Sequence, residues 1–367
     1  MDTVKTATAA ERNHEDAAIP PDYSRYIGRK IYYNAAGMVL LVCLFLLSIS
    51  VGSVSIPFHA VIRTLLSRGS SSRWETIIVQ IRLPHSLAAL AAGAGLSVSG
   101  AAMQTILRNP LGSPFTLGIS NAAAFGAAFS VMILGSGTMH STGADAVIIS
   151  SPYLTTLSAF VFCLLTAGII LAVSKIKHAS PEVMVLTGIA LGALYSAGTM
   201  FLQYFADDVQ LAAMVFWTFG DLARVSWKEL AILSVVTVAS LLYFFSNRWN
   251  YNALSAGDET AASLGVPVAR VRLIGMVAAS LVTATIISFV GIIGFVGLVC
   301  PHMVRRVIGS DHRFFMTGSA LTGSLLLLAA DMGARLVMAP HVLPVAILTS
   351  FLGAPVFIYL LIRGYRR

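Results

Sequence analysis

Ionisable side chains are scarce in this sequence, so each one embedded in apolar residues carries information. Asp331 and Arg335 stand four apart in LTGSLLLLAADMGARLVM, residues 321–338. On a helix that spacing places both on one face within pairing reach. An acid inside an apolar span is a functional candidate by default, and two roles fit it. One is a step in a proton relay; the other, which we favour, is an internal ion pair that aims Arg335 outward. A second group, Asp258 and Glu259, lies in the hydrophilic island NRWNYNALSAGDETAASLGVPVARVR, residues 247–272. His302 follows Pro301 and precedes Arg305 and Arg306, with no second ligand at metal-binding spacing. The phosphate loop GxxxxGK[ST] is absent, as is a nucleophile elbow. Nothing here marks the chain as an enzyme or assigns it a cofactor of its own. Cys43, Cys163 and Cys300 sit in apolar surroundings without CxxC spacing and read as buried thiols.

The elements that must hold these residues are membrane helices. The chain has 367 residues, 57% hydrophobic and 11% charged, with mean hydropathy +0.82; a soluble domain carries about 25% charged residues. Apolar runs cover 34–56, 83–107, 114–135, 152–174, 183–204, 230–246, 273–290, 292–304, 317–334 and 343–362. A full crossing takes roughly 20 residues, so 292–304 is short. It holds Gly294, Gly297 and Pro301, an irregularity tolerated where a segment is buried or lines a cavity. Ten spans put both termini on one side, together with 17 of the 24 lysines and arginines. Arg63, Arg68, Arg73, Arg82, Arg224, Lys228 and Arg335 remain opposite. By the positive-inside rule the basic side is cytoplasmic.

The expected fold is therefore all-α, a polytopic membrane protein with ten transmembrane helices. Residues 1–30 read as a flexible cytoplasmic tail and 31–367 as a single transmembrane domain. On the outer side, a short surface helix is expected around His59–Leu66, and a helix lying at the face within 205–229, with Trp217 and Trp227 in an interfacial belt. The Gly/Ser/Thr-rich 136–151 loop is uninformative. Small residues mark close helix packing, among them Gly93 and Gly100, Gly118 and Gly126, and the pair Gly188 and Gly192. Gln104 and Asn121 suit interhelical hydrogen bonds. The fifth span, with Gly188, Gly192, Ser196, Met200 and Gln203, is a candidate wall for a solute pathway, since small side chains leave room. The island reads as a capped helix, with Asn252 or Ser255 at its start, a glycine turn, and a stop at Gly265 and Pro267. It is either a semi-rigid knob for an aqueous partner or a solvated loop.

Four stretches then go beyond composition: IRLPHSLAALAAGAGLSVSGAAMQTILRNPLGSPFTLGISNAAAFGA (81–127), ALSAGDETAASLGVP (253–267), GIIGFVGLVCPHMVRRVIGSDHR (291–313) and ADMGARLVMAPHVLPVAILTSFLGAPVFIYLL (330–361). In this order they resemble the permease subunit of ABC importers for iron–siderophore complexes, haem and vitamin B12. The resemblance implies a homodimer, which we favour, or a pair of homologues, with two cytoplasmic ATPase subunits that use ATP and Mg, and an external or periplasmic solute-binding protein, in the inner membrane of a prokaryote. It makes the island a coupling element, with Leu254, Asp258, Glu259, Ser263, Leu264, Gly265, Val266 and Pro267 facing the ATPase. It also makes Arg82 and Arg335 receivers for acidic groups of the binding protein. His85 stands at a third such position, where the pattern usually has arginine. Ordinary snorkelling at the interface is the alternative for both arginines. Two other function classes fit the composition: a gradient-driven transporter working through Asp331, and a membrane scaffold. Among solutes, ferric siderophores are favoured over haem and corrinoids.

Overall fold

A computed structural model describes residues 21–52, 54, 56–66, 72–136, 152–176, 180–338 and 341–364. Its helices are α1 Pro21–Ser50, α2 Phe58–Leu65, α3 Ser72–Glu75, α4 Leu83–Ile106, α5 Ile119–Met132, α6 Pro152–Ile176, α7 Pro181–Tyr204 and α8 Asp208–Thr218. There follow α9 Trp227–Ser246, α10 Arg248–Ser255, α11 Asp258–Ser263, α12 Val268–Val290, α13 Val296–Val307, α14 His312–Val337 and α15 Val345–Gly364. A π-helical stretch, Thr76–Arg82, joins α3 to α4. Among the described residues the only β contact is an isolated bridge between Phe219 and Ile292.

Among the described residues, seven helices are long and apolar enough to cross a membrane, and α5 and α15 are shorter apolar ones. With the 12-residue α13, every apolar run of the sequence holds its own helix, an all-α polytopic architecture. α1 begins at Pro21, ahead of the expected domain start at residue 31. Residues 1–20, the 67–71 turn and most of the 136–151 loop lie outside the described residues.

The bundle is built around α4, which is buried along most of its length and packs on α9, α12, α13 and α14. Lipid offers no hydrophobic drive between helices, so close backbone approach has to supply the packing. A Cβ on Gly93 would lie 2.4 Å from the Gly323 carbonyl oxygen of α14, and one on Gly100 only 1.7 Å from that of Gly297 in α13. Gln104 donates to the Leu298 carbonyl at 3.3 Å, and Asn121 to that of Gly192 at 3.1 Å, as interhelical partners should.

One end of the bundle carries the start of α1, the end of α15 and the α10–α11 pair, and is called here the terminal face; α2, α3 and α8 lie at the opposite, far face. α8 is the helix expected within 205–229. Asp207 caps it, accepting from the Gln210 amide at 2.8 Å while the Gln210 side chain returns the bond at 3.2 Å. Its end then turns inward, with the Asp221 amide donating to the Val290 carbonyl at 2.8 Å. Trp217 is consequently buried, 4% exposed, and does not sit in a belt. Trp227 stays half exposed and donates to the Val79 carbonyl.

Candidate functional site

The hydrophilic island folds into two short helices on the terminal face. Gly257, at φ +117°, separates α10 from α11, and Asp258 and Glu259 occupy the first turn of α11, where carboxylates suit the helix dipole. The stop is a Schellman turn: Gly265, at φ +80°, donates to the Ala262 carbonyl and Val266 to that of Ala261, both at 3.0 Å. Glu259, Ser263, Leu264, Gly265 and Pro267 are left exposed, Leu264 at 68%. An apolar side chain held out on so short a turn suits a partner's cleft.

Three of the coupling residues expected from sequence stand differently. Leu254 is 1% exposed and packs in the core, so it offers nothing to a partner. Val266 leans on the same core. Asp258 is engaged internally: one guanidinium nitrogen of Arg272 lies 3.0 Å from each of its carboxylate oxygens. The expected cap was also misplaced. α10 starts after Asn247, so Asn252 lies inside it, and its side-chain oxygen accepts from the His312 amide at 2.7 Å, capping α14 instead.

Two polar ties join this knob to the bundle, and both end on the last turn of α4. Arg272, in α12 and only 3% exposed, holds Asp258 and donates from Nε to the Ile106 carbonyl at 3.2 Å. The second runs from Asn252 through the His312 ring, 3.0 Å from Nδ1, to the Thr105 hydroxyl, 2.9 Å from Nε2. With the proton on Nδ1, which donates to the Asn252 oxygen, Nε2 is the acceptor for the Thr105 hydroxyl, whose other acceptor is the Ala101 carbonyl at 3.0 Å. His312 also stacks on Tyr251 of α10 at 5.8 Å. Beside it, burial disfavours the Asp311 carboxylate. Hydrogen bonds from the Arg313 side chain and Asn252, together with the Arg313 amide and charge, more than offset this and hold its pKa at about 2. Sequence reasoning missed Arg272 and His312 as linkers. A guanidinium one turn inside an apolar run, VARVRLIG, was the available signal.

At the other end of α4 the residues expected to meet a binding protein are turned inward. Arg82 is 5% exposed and donates to the carbonyls of Ile49, Ser50 and Val54, closing the end of α1. His85 Nε2 lies 3.2 Å from Asp331, which lies 2.9 Å from Arg335. Arg335 in turn donates to the Ser48 hydroxyl at 2.6 Å and carbonyl at 3.2 Å. The i, i+4 pair therefore forms, but Arg335 is aimed into the bundle, not outward. A buried guanidinium needs acceptors, and the carbonyls freed where α1 ends supply them.

Of the residues expected as a pathway wall in α7, Gly188, Gly192 and Ser196 face α5. A Cβ on Gly188 would lie 2.8 Å from the Leu117 backbone, Gly192 faces Gly118, and Ser196 is 3.3 Å from Asn121. These small residues close α7 onto α5 and leave no room beside them. Gln203 is half-buried, and Met200 is exposed on the outside of the bundle. Open space lies instead where the chain breaks between α12 and α13. A cavity of about 390 Å³ is lined there by residues that include Thr283, Ile292, Gly294, Phe295, Gly297 and Ser350. It sits level with the middle of α4, whose Leu96 also lines it, and Phe295 turns the chain into α13 at φ +66°. The irregular short span thus does line a cavity. Among the described residues no group of three His, Cys, Asp or Glu side chains is placed to hold a metal ion.

A helix bundle with a braced two-helix knob on one face and a broken helix over a cavity at mid-depth is the architecture of a membrane transport permease of the ABC type. The match to the FecCD transport family runs over residues 40–363, and the chain belongs to that family. A Methanocaldococcus jannaschii protein named as an ABC transporter permease is 51% identical over 352 residues, 95% of this chain and 99% of its own. The hemin transport system permease protein of Yersinia pestis is 35% identical over 326 residues, 89% of this chain and 94% of its own. A solved structure described as an inward-facing conformation of a metal-chelate type ABC transporter shares the fold with TM-score 0.77 and 30% identity, covering 90% of this chain and 98% of that one. As a permease subunit, this chain is a transport protein and not itself an enzyme.

Proposed function

We propose that this chain takes a ferric siderophore or similar chelate from a solute-binding protein and passes it inward by ATP-driven alternating access. Two copies would form the pathway. The terminal face, with both chain ends, is cytoplasmic in this reading, because most basic residues gather there. Two ATPase subunits, carrying the ATP and Mg, would grip the exposed edge from Glu259 to Pro267, and the binding protein would meet the far face of a prokaryotic inner membrane. Haem, the cargo named for the Yersinia pestis relative, and vitamin B12 are the nearest other solutes.

The observation that carries the proposal is the pair of ties converging on the last turn of α4. Motion imposed on the knob reaches a central helix whose Leu96 and Gly100 touch the broken span. A solvated loop would absorb such motion. Asp331, held by both Arg335 and His85, suits a structural ion pair better than a proton relay. The deciding experiment is uptake of radiolabelled ferric siderophores, haem and cobalamin into proteoliposomes holding the permease, its ATPase and its binding protein. Uptake of one class should stop with a hydrolysis-dead ATPase and survive a protonophore. Collapse under the protonophore alone would establish a gradient-driven carrier instead.

A further inference from the structure

The cavity at the α12–α13 break has an anion-favouring pole. α13 starts at its wall, and the residues lining the cavity include no acidic or basic side chain. The strongest fixed field there is therefore that of the helix N-terminus, positive toward the opening. Of the first amides of α13, Val296 donates to Gly294, and Leu298 and Val299 both donate to Phe295. Gly297, which lines the cavity, has no acceptor among the described residues.

A second observation comes from the facing helix. Thr283 lines the same cavity, is 0% exposed, and its hydroxyl has no hydrogen-bond partner. Among the other hydroxyls of α12, Thr285 donates to the Leu281 carbonyl at 2.9 Å and Ser288 to that of Ala284 at 2.6 Å, while Ser280 is buried and unpartnered like Thr283 but is not among the residues lining the cavity. A buried hydroxyl without a partner is costly, so an unused one beside an unsatisfied helix start marks a place for an acceptor from outside the chain.

Resting on the permease reading above, we propose that this pocket is a transit subsite for negatively charged ligand oxygens, the carboxylate, catecholate or hydroxamate groups of an anionic metal chelate. The Gly297 amide, the dipole of α13 and the Thr283 hydroxyl receive them. The site is selective for charge yet weak, because it offers no formal cation, and a transit site must release its solute.

The test uses the full-length chain in detergent, with Cys43, Cys163 and Cys300 replaced and a reporter, Ser350→Cys, placed at the exposed cavity wall. Its modification by the anionic sulfonatoethyl methanethiosulfonate is compared with that by the cationic trimethylammonioethyl reagent, each normalised to its rate with a free thiol. The anionic reagent should be favoured at least fivefold. Citrate, the carboxylate probe, should slow modification, and this protection should be lost in Thr283→Val and kept in Thr283→Ser. Equal rates, a preference for the cation, or undiminished protection in Thr283→Val would overturn the proposal. The measurement needs neither ATP nor partner subunits. A negative result therefore leaves the permease reading intact, and failure of ATP-driven uptake leaves the subsite intact.

Discussion

The Arg272–Asp258 contact shows how one side-chain pair brings a surface element under control of the bundle. Its arginine is buried and its acid is 38% exposed, so screening discounts the Coulomb attraction. The larger cost of breaking it is a buried guanidinium that loses its carboxylate. Asp258→Asn should lower stability by about 1–2 kcal/mol. More diagnostically, it should cut uptake about tenfold while ATPase binding, measured by co-purification, is retained; loss of co-purification would make Asp258 a contact residue instead. Asp311 makes a separate prediction about pH. Its folded pKa of about 2 is below the ordinary 3.8, so its contribution to stability is complete above the ordinary value and is lost as pH falls through about 2. Thermal melts in detergent should show Asp311→Asn flattening that acid limb. Replacing Asp331 by alanine strands Arg335 and should lower folded yield, with no change in the pH dependence of residual uptake.

At the scale of elements, the critical dimension is the separation between helix axes. Gly100→Ala forces a methyl against the Gly297 carbonyl, so α13 cannot seat and the cavity wall moves. Folded yield by fluorescence-detected gel filtration should fall severalfold. Gly168→Ala in α6, with nothing within 4 Å of the new methyl, is the matched control and should be neutral or more stable by about 1 kcal/mol, from helix propensity alone. If both variants behaved alike, composition and not close approach would be holding the bundle. The same dimension explains α7, where glycines that look like free space in the sequence are the points at which another helix makes contact.

For the whole molecule, sidedness decides whether the knob can serve an ATPase. In inside-out vesicles, Ser263→Cys should react with a membrane-impermeant maleimide and Leu66→Cys should be protected; intact cells with a permeable outer layer should reverse the pattern. Labelling of both positions from the same side would remove the lever.

The sequence alone determined that this chain is a bundle of apolar helices, where nearly every helix lies, and that residues 247–272 project from it. These depend on local periodicity, run length and turn residues, all contained within a few consecutive positions. It also placed Asp331 and Arg335 within reach, because four residues on one helix is a local relation. Tertiary structure decided which way the side chains point. Arg82 and Arg335 turned inward because the end of α1, more than thirty residues from Arg82 and nearly 290 from Arg335, offered carbonyls to buried guanidinium groups, and His85 turned inward to Asp331 of α14. Asp258 found Arg272, and Asn252 found His312, across separations that no helical repeat encodes. The cavity exists only because α12 stops where α13 starts again at mid-depth, against a helix some two hundred residues earlier in the chain.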